Sequence, residues 1–390
     1  MIDKMITELN NTASQLGIYD RVKFFGSDAV SVAREIAPYS KVAAIYSKSS
    51  FLDFGKDITV RLKTAGIKPL NFIMPENTTL NLSNVLDVIC VPDDVRAIIV
   101  FDIELKDVAV YIATLFSIPV ILSLRSLNTD GVFSGKVPFV WGGKSPETDF
   151  FKVDCLYYVV ISESALGNGN AAEQFLSVYS KNLALIDYEV KRANASDNAA
   201  CFKVVADAVN AAMLSCDEKT LFLSGLKIGL ADLASGGEIL ANSAEYCFYR
   251  LIGYNKPEGI GYLFIKKLLS LYTLCALEKD MPFDLPDHIK RAKDLTELIK
   301  SNEFVLLKGF KEQLDRLKSK DLPTVKDGLK DRLLALSEDF DNVREKYISL
   351  GGKTDADFSP FINALKYCGD LPNSLNFMTI VRESGYTECF

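Results

Sequence analysis

Residues 97–123, AIIVFDIELKDVAVYIATLFSIPVILS, hold two short apolar runs separated by a helical pattern. The run Ala97–Phe101 is apolar throughout and Pro119–Ser123 is apolar up to its last residue, as is typical of strands buried on both faces of a parallel sheet. The segment from about Leu105 to Phe116 has the apolar periodicity of an amphipathic helix. This strand–helix–strand unit predicts an α/β domain, in which helices cover both faces of a parallel sheet and the crossovers are right-handed.

The same alternation fills the rest of the first 150 residues. Further strands are predicted at Val42–Tyr46 and Leu70–Met74, and further helices at Asp53–Ala65 and Ser83–Val91. From about Ser126 to Tyr157 the chain carries glycine, proline and aromatic residues instead, which predicts a β-rich excursion that returns to the edge of the sheet. Its strand candidates are Val132–Phe133, Phe139–Trp141 and Leu156–Ile161.

From about Asn170 the pattern is helical to the end of the sequence. Because single cores rarely grow beyond about 250–300 residues, a chain of 390 residues favours two domains. We predict an α/β domain over residues 1–165 and an all-helical domain over residues 166–390. Ligands of such folds bind at the carboxyl ends of the strands, and we expect a site there, facing the cleft between the domains. The predicted helices are Glu173–Asn194, Asp197–Cys216, Glu218–Ala231, Ser235–Gly253, Gly259–Leu277, Leu285–Asn302, Glu303–Ser319, Thr324–Tyr347 and Phe358–Tyr367.

The composition argues against two classes of partner. Asp and Glu number 51 against 44 Lys and Arg, which gives a formal net charge of -7. Such a surface repels phosphate backbones, so neither nucleic acid nor an anionic membrane is expected to bind. The N-terminal MIDKMITELN lacks the apolar core of a signal peptide, and eight scattered cysteines without a C-x-x-C pair predict free thiols in a reducing cytosol. We therefore expect a cytoplasmic protein.

Several strings, in this order, resemble the superfamily of iron- or zinc-dependent alcohol dehydrogenases and dehydroquinate synthases, closest to its glycerol and glycerol-1-phosphate dehydrogenase branch. The resemblance implies a dehydroquinate synthase-like fold, with a Rossmann-like α/β domain followed by a helical domain. If the chain is active, it also implies an oxidoreductase. The strings are VKFFGSDAVSVAREIAPYSKVAAIYSKSSF (22–51), DVAVYIATLFSIPVILSLRSLNTDGVFSG (107–135), SVYSKNLALIDYEV (177–190), SGLKIGLADLASGGEILANSAEY (224–246), NKPEGIGYLF (255–264) and IVRESGYTECF (380–390).

The metal site that the resemblance implies is altered at every position. The family holds a divalent ion with one Asp and two His, and the ion polarises the alcohol oxygen so that hydride can leave. Alignment on the quoted strings puts Ser177 at the Asp position, and Ile239 and Lys256 at the two His positions. The whole sequence contains one histidine, His288. Serine is a poor ligand, isoleucine is none and a protonated lysine repels a cation, so the sequence predicts no metal of the family type.

Two alternatives for these positions stay open. Glu173, Glu238 and Glu258 fall in the matching segments, and they either form an oxygen-only site for magnesium or manganese or have separate capping and surface roles. Lys256 either offers a fixed positive charge to an oxyanion or is a surface lysine. With Asp130, which resembles the family's substrate-side Asp, Lys256 and Glu238 are the catalytic candidates.

The nucleotide loop is also altered. The resemblance implies a Gly-Gly-Gly turn after the third strand, where backbone amides approach a pyrophosphate. The matching residues here are Phe101, Asp102 and Ile103, followed by Glu104. At the end of the strand that usually carries an acid for the ribose stand Tyr46, Ser47 and Lys48. The candidate cofactor-binding residues are Ser47, Lys48, Asp102, Arg125, Ser126 and Thr129.

Two glycine-containing turns have a ligand interpretation and a plainer one. GNGNAAE (167–173) either cradles a phosphate or links the domains, with Asn170 capping a helix and Glu173 completing a capping box. SGGE (235–238) either binds an anion or starts a helix, with Ser235 as the N-cap and Glu238 at the third helical position. In both cases the capping interpretation needs no ligand.

Three functions remain open. The first is a divergent, metal-free relative of the glycerol dehydrogenases that does not run ordinary NAD-linked alcohol oxidation and binds a small anionic or phosphorylated ligand or another protein. The second is an NAD(P)-dependent oxidoreductase of a polyol or glycerol phosphate with a rebuilt site. The third is a metal-independent lyase or synthase that acts on a sugar-phosphate-like substrate. NAD(P) is the only cofactor considered, and a homodimer is expected from the frequency of such assemblies.

Overall fold

The computed structural model divides the chain into two compact units. The sheet unit comprises Met1–Gly143, Asp149–Asn170 and Asp217–Gly237, and the helical unit includes Ala171–Cys216 and Glu238–Phe390. The predicted helix at 83–91 and strand at 139–141 lie outside the described residues. The structure describes residues 2–75, 91–127, 129, 131–133, 135–138, 150–162, 165–167, 169–191, 198–240, 243–252, 257–277, 288–299, 303–318, 320, 322–371 and 375–384.

The sheet unit is built on a six-stranded sheet in the order β1-β8-β5-β4-β2-β3, in which every pair is parallel, as predicted. The described strands outside it, β6 and β7, form an antiparallel pair in the predicted β-rich excursion. The strands are β1 (Val22–Phe25), β2 (Lys41–Ser47), β3 (Lys68–Met74), β4 (Val95–Val100), β5 (Val120–Leu124), β6 (Lys136–Pro138), β7 (Phe150–Lys152) and β8 (Tyr157–Ile161).

The described α-helices of both units are numbered together. They are α1 (Ile2–Gln15), α2 (Ala29–Ile36), α3 (Lys48–Ser50), α4 (Lys56–Thr64), α5 (Lys106–Phe116), α6 (Ala171–Lys191), α7 (Ala199–Leu214), α8 (Glu218–Ala234), α9 (Ala244–Ile252), α10 (Ile260–Leu277), α11 (His288–Ile299), α12 (Glu303–Lys318), α13 (Leu322–Glu338), α14 (Phe340–Ser349), α15 (Ile362–Tyr367) and α16 (Phe377–Glu383). A π-helical turn, Phe51–Gly55, joins α3 to α4, and a 3₁₀ turn, Ile103–Leu105, precedes α5.

The side chains of β2 point alternately to the two faces of the sheet, and they are buried on both faces. Val42, Ala44 and Tyr46 are buried in one core cluster with α2 and with Leu62 of α4. The intervening residues of the strand are fully buried as well. Continuous burial of this kind is typical of parallel strands covered on both faces.

The strand order creates one topological switch point. β2 and β4 are neighbours, but the chain leaves β2 towards β3 on one side and leaves β4 towards β5 on the other. The connections that follow the two strands therefore diverge, which opens a crevice at their carboxyl ends. Open α/β sheets bind ligands at this place.

The helical unit is organised around α10, which is buried along most of its length and packs against α6, α13 and α16. Among the described residues, α10 is the one helix with the length and hydropathy of a membrane span, and 61% of its window is buried inside the fold. That burial is the signature of a core helix. Packing within this unit therefore explains why α10 is long and apolar.

Four sequence predictions differ from the structure. The helix predicted at Asp53–Ala65 begins at Lys48 instead, because the Ser47 side chain accepts a hydrogen bond from the Ser50 amide and caps the helix there. The helix predicted from Ser235 is wrong over its first turns: α8 continues to Ala234, Ser235 is its C-cap, and α9 begins at Ala244. The capping box assigned to SGGE therefore does not form.

The remaining two differences concern β6–β7 and the C-terminal helices. Val132–Phe133 is no strand; both residues are buried in a turn before β6. The helix predicted at Thr324–Tyr347 is two helices, α13 and α14, separated at Asp339. In addition, α8 belongs to the sheet unit, where it packs against α1.

One close backbone approach in the sheet unit requires glycine. A Cβ atom at Gly135 would lie 2.3 Å from the carbonyl carbon of Gly236 and 2.3 Å from the amide nitrogen of Gly237. Gly236 and Gly237 have φ angles of 68° and 77°, which favour glycine. The turn after α8 thus passes directly against the chain that enters β6.

We predict that Gly135→Ala lowers the free energy of unfolding of the sheet unit by about 1–3 kcal/mol or more, because the backbone must move to accept the methyl group. Urea denaturation followed by circular dichroism measures the change. Gly167→Ala is the matched control, since no atom lies within 4 Å of a Cβ placed there. Equal stability of the two variants would contradict the close approach.

Candidate functional site

A cavity of about 420 Å³ lies at the switch point, at the carboxyl ends of β2, β4 and β5. Each strand end contributes backbone or side chains to its wall. The first turns after β2 and β4 complete the wall. The lining residues are Ser47, Ser49, Ser50, Asp53, Phe54, Val100, Phe101, Asp102, Ile103, Glu104, Leu122, Ser123, Leu124, Arg125 and Ser126.

Asp102 ties the ends of β2 and β4 together. Its Oδ2 accepts a hydrogen bond of 2.7 Å from the backbone amide of Ser47, and its Oδ1 accepts one from the hydroxyl of Ser50. Ser47 and Ser50 belong to the start of the helical run 48–64, where backbone amides lack helical partners and favour an anion. The Asp102 carboxylate supplies that anion from within the chain.

An aromatic cluster packs next to Asp102 at the ends of β2 and β4. The ring of Phe101 stacks on that of Tyr46, with centroids 5.0 Å apart and planes 9° apart. Phe51 and Phe54 pack edgewise against this pair. Burial raises the pKa of the Tyr46 phenol far above its usual range, so the phenol stays neutral. Side chains therefore occupy the space that glycines would leave open after β4.

Arg125 lies on the outer side of the cluster. Its guanidinium carbon is 3.5 Å from the centroid of the Phe54 ring, within the range of a cation–π contact. The residue is exposed. The cavity therefore carries one cation at its rim, against the carboxylates of Asp53, Asp102 and Glu104.

Four of the six candidate cofactor residues share this cavity: Ser47, Asp102, Arg125 and Ser126. Lys48 is exposed and is not part of the lining. Thr129 is fully buried, and its hydroxyl donates to the carbonyl of Phe222 in α8 at 3.5 Å. The structure thus separates Thr129 from the cavity by burial. Asp130, the substrate-side candidate, lies outside the described residues.

Ser50, Asp53 and Phe54 were not predicted as site residues. All three lie between β2 and α4; Ser50 precedes the helix that was predicted there, and Asp53 and Phe54 are its first two residues. The sequence signal for a helix start here was Ser47 at the end of an apolar strand, since serine favours the N-cap position. With the helix started there, Ser50 and Phe54 face the same end of the sheet.

The metal positions implied by the resemblance lie in the helical unit. Ser177 is half-buried on α6, and its carbonyl oxygen lies 2.6 Å from the Ser180 hydroxyl oxygen. Ile239 is 1% exposed and belongs to the core. Lys256 lies outside the described residues. Among the described residues, no group of three or more His, Cys, Asp or Glu side chains is arranged to hold a metal ion.

The three candidate metal-binding carboxylates of the helical unit each have a protein partner. Glu238 pairs with Lys191, and Glu258 pairs with Lys353. Glu173, three residues after Asn170 at the start of α6, accepts a bond of 2.9 Å from the Tyr347 hydroxyl. These contacts favour separate structural roles over an oxygen-only metal site, and they give the catalytic candidate Glu238 an ion-pair partner.

The sequence matches no family model, and no curated protein matches it. Solved structures do match. Glycerol dehydrogenase from Schizosaccharomyces pombe is similar with 12% identity and a TM-score of 0.50, over 95% of this chain and 89% of that one. The iron-containing alcohol dehydrogenase of Thermotoga maritima is similar with 11% identity and a TM-score of 0.52, over 95% and 98%. The fold is that of the iron-containing alcohol dehydrogenases.

A third solved structure, a 1,3-propanediol oxidoreductase, is similar with 14% identity and a TM-score of 0.51, over 94% of this chain and 98% of that one. The fold is therefore as predicted. Identities this low establish the fold alone, and the function has to be argued from the residues of the site.

The residues present do not fit the groups that the iron-containing alcohol dehydrogenase fold implies. A dinucleotide needs a turn after β4 that its pyrophosphate can approach, and Phe101 and Asp102 fill that turn with side chains. A divalent ion needs several oxygen, nitrogen or sulfur ligands, and Ile239 offers a buried hydrocarbon at one of the three positions.

A buried polar network crosses the helical unit at Asp187. Its carboxylate accepts bonds from the Ala244 amide at 2.8 Å, the Tyr272 hydroxyl at 2.7 Å and the Phe377 amide at 2.9 Å. Asp187 thereby joins α6 to α9, α10 and α16. Burial raises the pKa of Asp187 to about 7, although the three donors act in the opposite direction.

A second buried pair adjoins this network. Lys181 donates to Glu245 at 2.7 Å, and Ser180 donates to the other oxygen of the same carboxylate at 2.6 Å. Both charged side chains are only 6% exposed. Removing either partner would leave a buried charge without compensation, so this pair fixes α6 against α9.

We predict that Asp102→Ala lowers the free energy of unfolding of the sheet unit by about 1–3 kcal/mol, because the Ser47 amide loses its acceptor in a partly buried place. Urea denaturation measures the loss. Asp93→Ala removes an exposed carboxylate before β4, at the opposite edge of the sheet, and should change stability by less than about 0.5 kcal/mol. Equal losses would show that Asp102 contributes no more than surface charge.

We also predict a pH dependence from Asp187. Below pH 4 its carboxyl is protonated in the folded and the unfolded chain. Between pH 4 and 7 the unfolded chain releases this proton and the folded chain keeps it, so stability falls as pH rises, by on the order of 4 kcal/mol. Thermal unfolding of wild type and Asp187→Asn at pH 5, 6, 7 and 8 checks this. The advantage of wild type over the variant should shrink along the series, and a constant difference would contradict the raised pKa.

Proposed function

We propose that this protein does not perform metal-assisted, NAD-linked alcohol oxidation, and that it binds a small molecule in the cavity at the carboxyl ends of β2, β4 and β5. The observation that carries the proposal is the Asp102 carboxylate, which is held at the turn where a pyrophosphate would have to lie. The fold is retained, while the groups needed for its usual chemistry are replaced. Such retention of a fold with a different site is common.

The cavity supports binding because it is well placed and of suitable size. Small-molecule pockets measure about 300–1,000 Å³ and lie at the switch points of α/β sheets. The volume of about 420 Å³ falls at the small end of that range. Five of the fifteen lining residues lie at the ends of β2, β4 and β5, and the other ten lie in the segments that directly follow these strands.

The binding chemistry comes from residues that the fold holds in place. Asp102 is oriented by the Ser47 amide and the Ser50 hydroxyl, and Arg125 is oriented by the Phe54 ring. Hydroxyl groups of Ser123 and Ser126 add donors and acceptors at the end of β5. The site can therefore position a polar ligand by hydrogen bonds without a metal or a redox cofactor.

Other predictions from the sequence stay proposals. The small anionic or phosphorylated ligand was expected near Ser177, Ile239 and Lys256, and Lys256 lies outside the described residues. We further propose a cytoplasmic location, which is supported by the cysteines at positions 155, 201, 216, 247, 275 and 368, none of which forms a disulfide bond. A homodimer, and the absence of nucleic-acid and membrane partners, remain proposals from base rate and charge.

Metal analysis and cofactor titration test this function. The purified protein, incubated with zinc or ferrous iron and then desalted, should retain less than one metal per chain in mass spectrometry. NADH and NADPH should produce no heat in calorimetric titration, because the cavity presents carboxylates to their phosphates. The iron-containing alcohol dehydrogenase of Thermotoga maritima, treated identically, is the positive control for the procedure.

Activity measurements give the opposing outcome. With glycerol, 1,2-propanediol or glycerol 1-phosphate and NAD, we expect no formation of NADH above a protein-free blank. NAD-dependent oxidation that a chelator removes, together with stoichiometric zinc or iron, would overturn the proposal.

A further inference from the structure

The polar wall of the cavity has an excess of negative charge. Asp53, Asp102 and Glu104 contribute three carboxylates, and Arg125 contributes one guanidinium. Asp53, Glu104 and Arg125 are exposed, whereas Asp102 is half-buried and is held by two hydrogen bonds. A phosphate that entered would meet the carboxylates at close range, and like charges that face each other in a partly desolvated place disfavour binding.

Asp102 keeps acceptor capacity for a ligand. An ionised carboxylate has about four lone-pair sites, and the bonds from Ser47 and Ser50 use one on each oxygen. The remaining sites suit a pair of neighbouring hydroxyl groups, each of which donates to one oxygen. Because Ser47 and Ser50 fix the carboxylate, little side-chain entropy is lost when such a ligand binds.

The other half of the wall is apolar. Phe54, Phe101, Ile103, Leu122 and Leu124 line it. An apolar ring on the ligand would gain favourable burial against these side chains. The volume of about 420 Å³ suits one ring with a hydroxylated part better than a whole dinucleotide.

We propose that the cavity accepts an uncharged ligand that joins an apolar ring to neighbouring hydroxyl groups, as a nucleoside does, and that Asp102 excludes the phosphorylated form of the same ligand. The inference rests on the proposed function and names its ligand class. Asp102 is the specificity-determining residue: it accepts the two hydroxyl groups and repels the phosphate. The preference is the reverse of the one that a dinucleotide site requires.

A matched set of three probes tests this selectivity: adenosine, 2′-deoxyadenosine and adenosine 5′-monophosphate, titrated into the full chain by calorimetry at low ionic strength. Adenosine should bind at least about tenfold more tightly than its monophosphate, because the carboxylates repel the added charge. It should also bind about tenfold more tightly than 2′-deoxyadenosine, which leaves one oxygen of Asp102 without its hydroxyl partner.

Variants assign the selectivity to the cavity. Asp102→Asn removes the charge and keeps the shape, so the preference for adenosine over the monophosphate should fall to less than about threefold. Glu104→Gln removes a second, exposed lining charge outside the hydrogen bonds to β2, and should reduce the preference in the same direction even if Asp102→Asn fails to fold. Asp93→Asn changes the net charge equally, away from the cavity, and should leave the preference as in wild type.

The outcomes separate this inference from the proposed function. Equal or tighter binding of the monophosphate by wild type, no binding of adenosine, or an unchanged preference in both cavity variants overturns the inference and leaves the absence of metal-assisted oxidation untouched. Chelator-sensitive NAD-dependent oxidation overturns the proposed function, whatever the nucleoside titration shows.

Discussion

The bond from the Ser47 amide to the Asp102 carboxylate joins the two strand ends on either side of the switch point, and the site is arranged around it. β2 brings the start of a helical run to this place, and β4 brings an acidic side chain in the position where the resemblance implies glycine. The helix start alone would leave backbone amides without acceptors, and the acidic side chain alone would be a partly buried carboxylate without donors. Together they satisfy each other, and they give the cavity its negative charge.

Aromatic packing next to this bond stabilises the turn that carries Asp102. Phe101 precedes Asp102 and stacks on Tyr46, so both residues of the turn are held, one by an aromatic contact and the other by hydrogen bonds. A glycine turn at this place would lack both the buried ring and the charge. In the helical unit, Ile239 lies in an apolar core at a position where the resemblance implies a metal ligand.

The sequence allowed prediction of what depends on local pattern. Strands β2, β4 and β5 followed from continuous apolar runs, and the choice of Asp102 as a candidate site residue followed from its position in a resemblance. The contacts of Asp102 could not be predicted, because Ser47 and Ser50 are more than 50 residues away along the chain. The error at Ser235 arose because a serine before two glycines suits a helix start and a helix end equally well, and only the packing against Gly135 decides between them.

A crystal structure of the protein, grown with zinc and soaked with NAD, tests the central claim most directly. The account predicts that the Asp102 carboxylate stays on the Ser47 amide, with no pyrophosphate density at residues 101–103 and no metal bonded to Ser177. An ordered dinucleotide whose phosphates replace that carboxylate at the end of β4, with zinc coordinated in the helical unit, would contradict it.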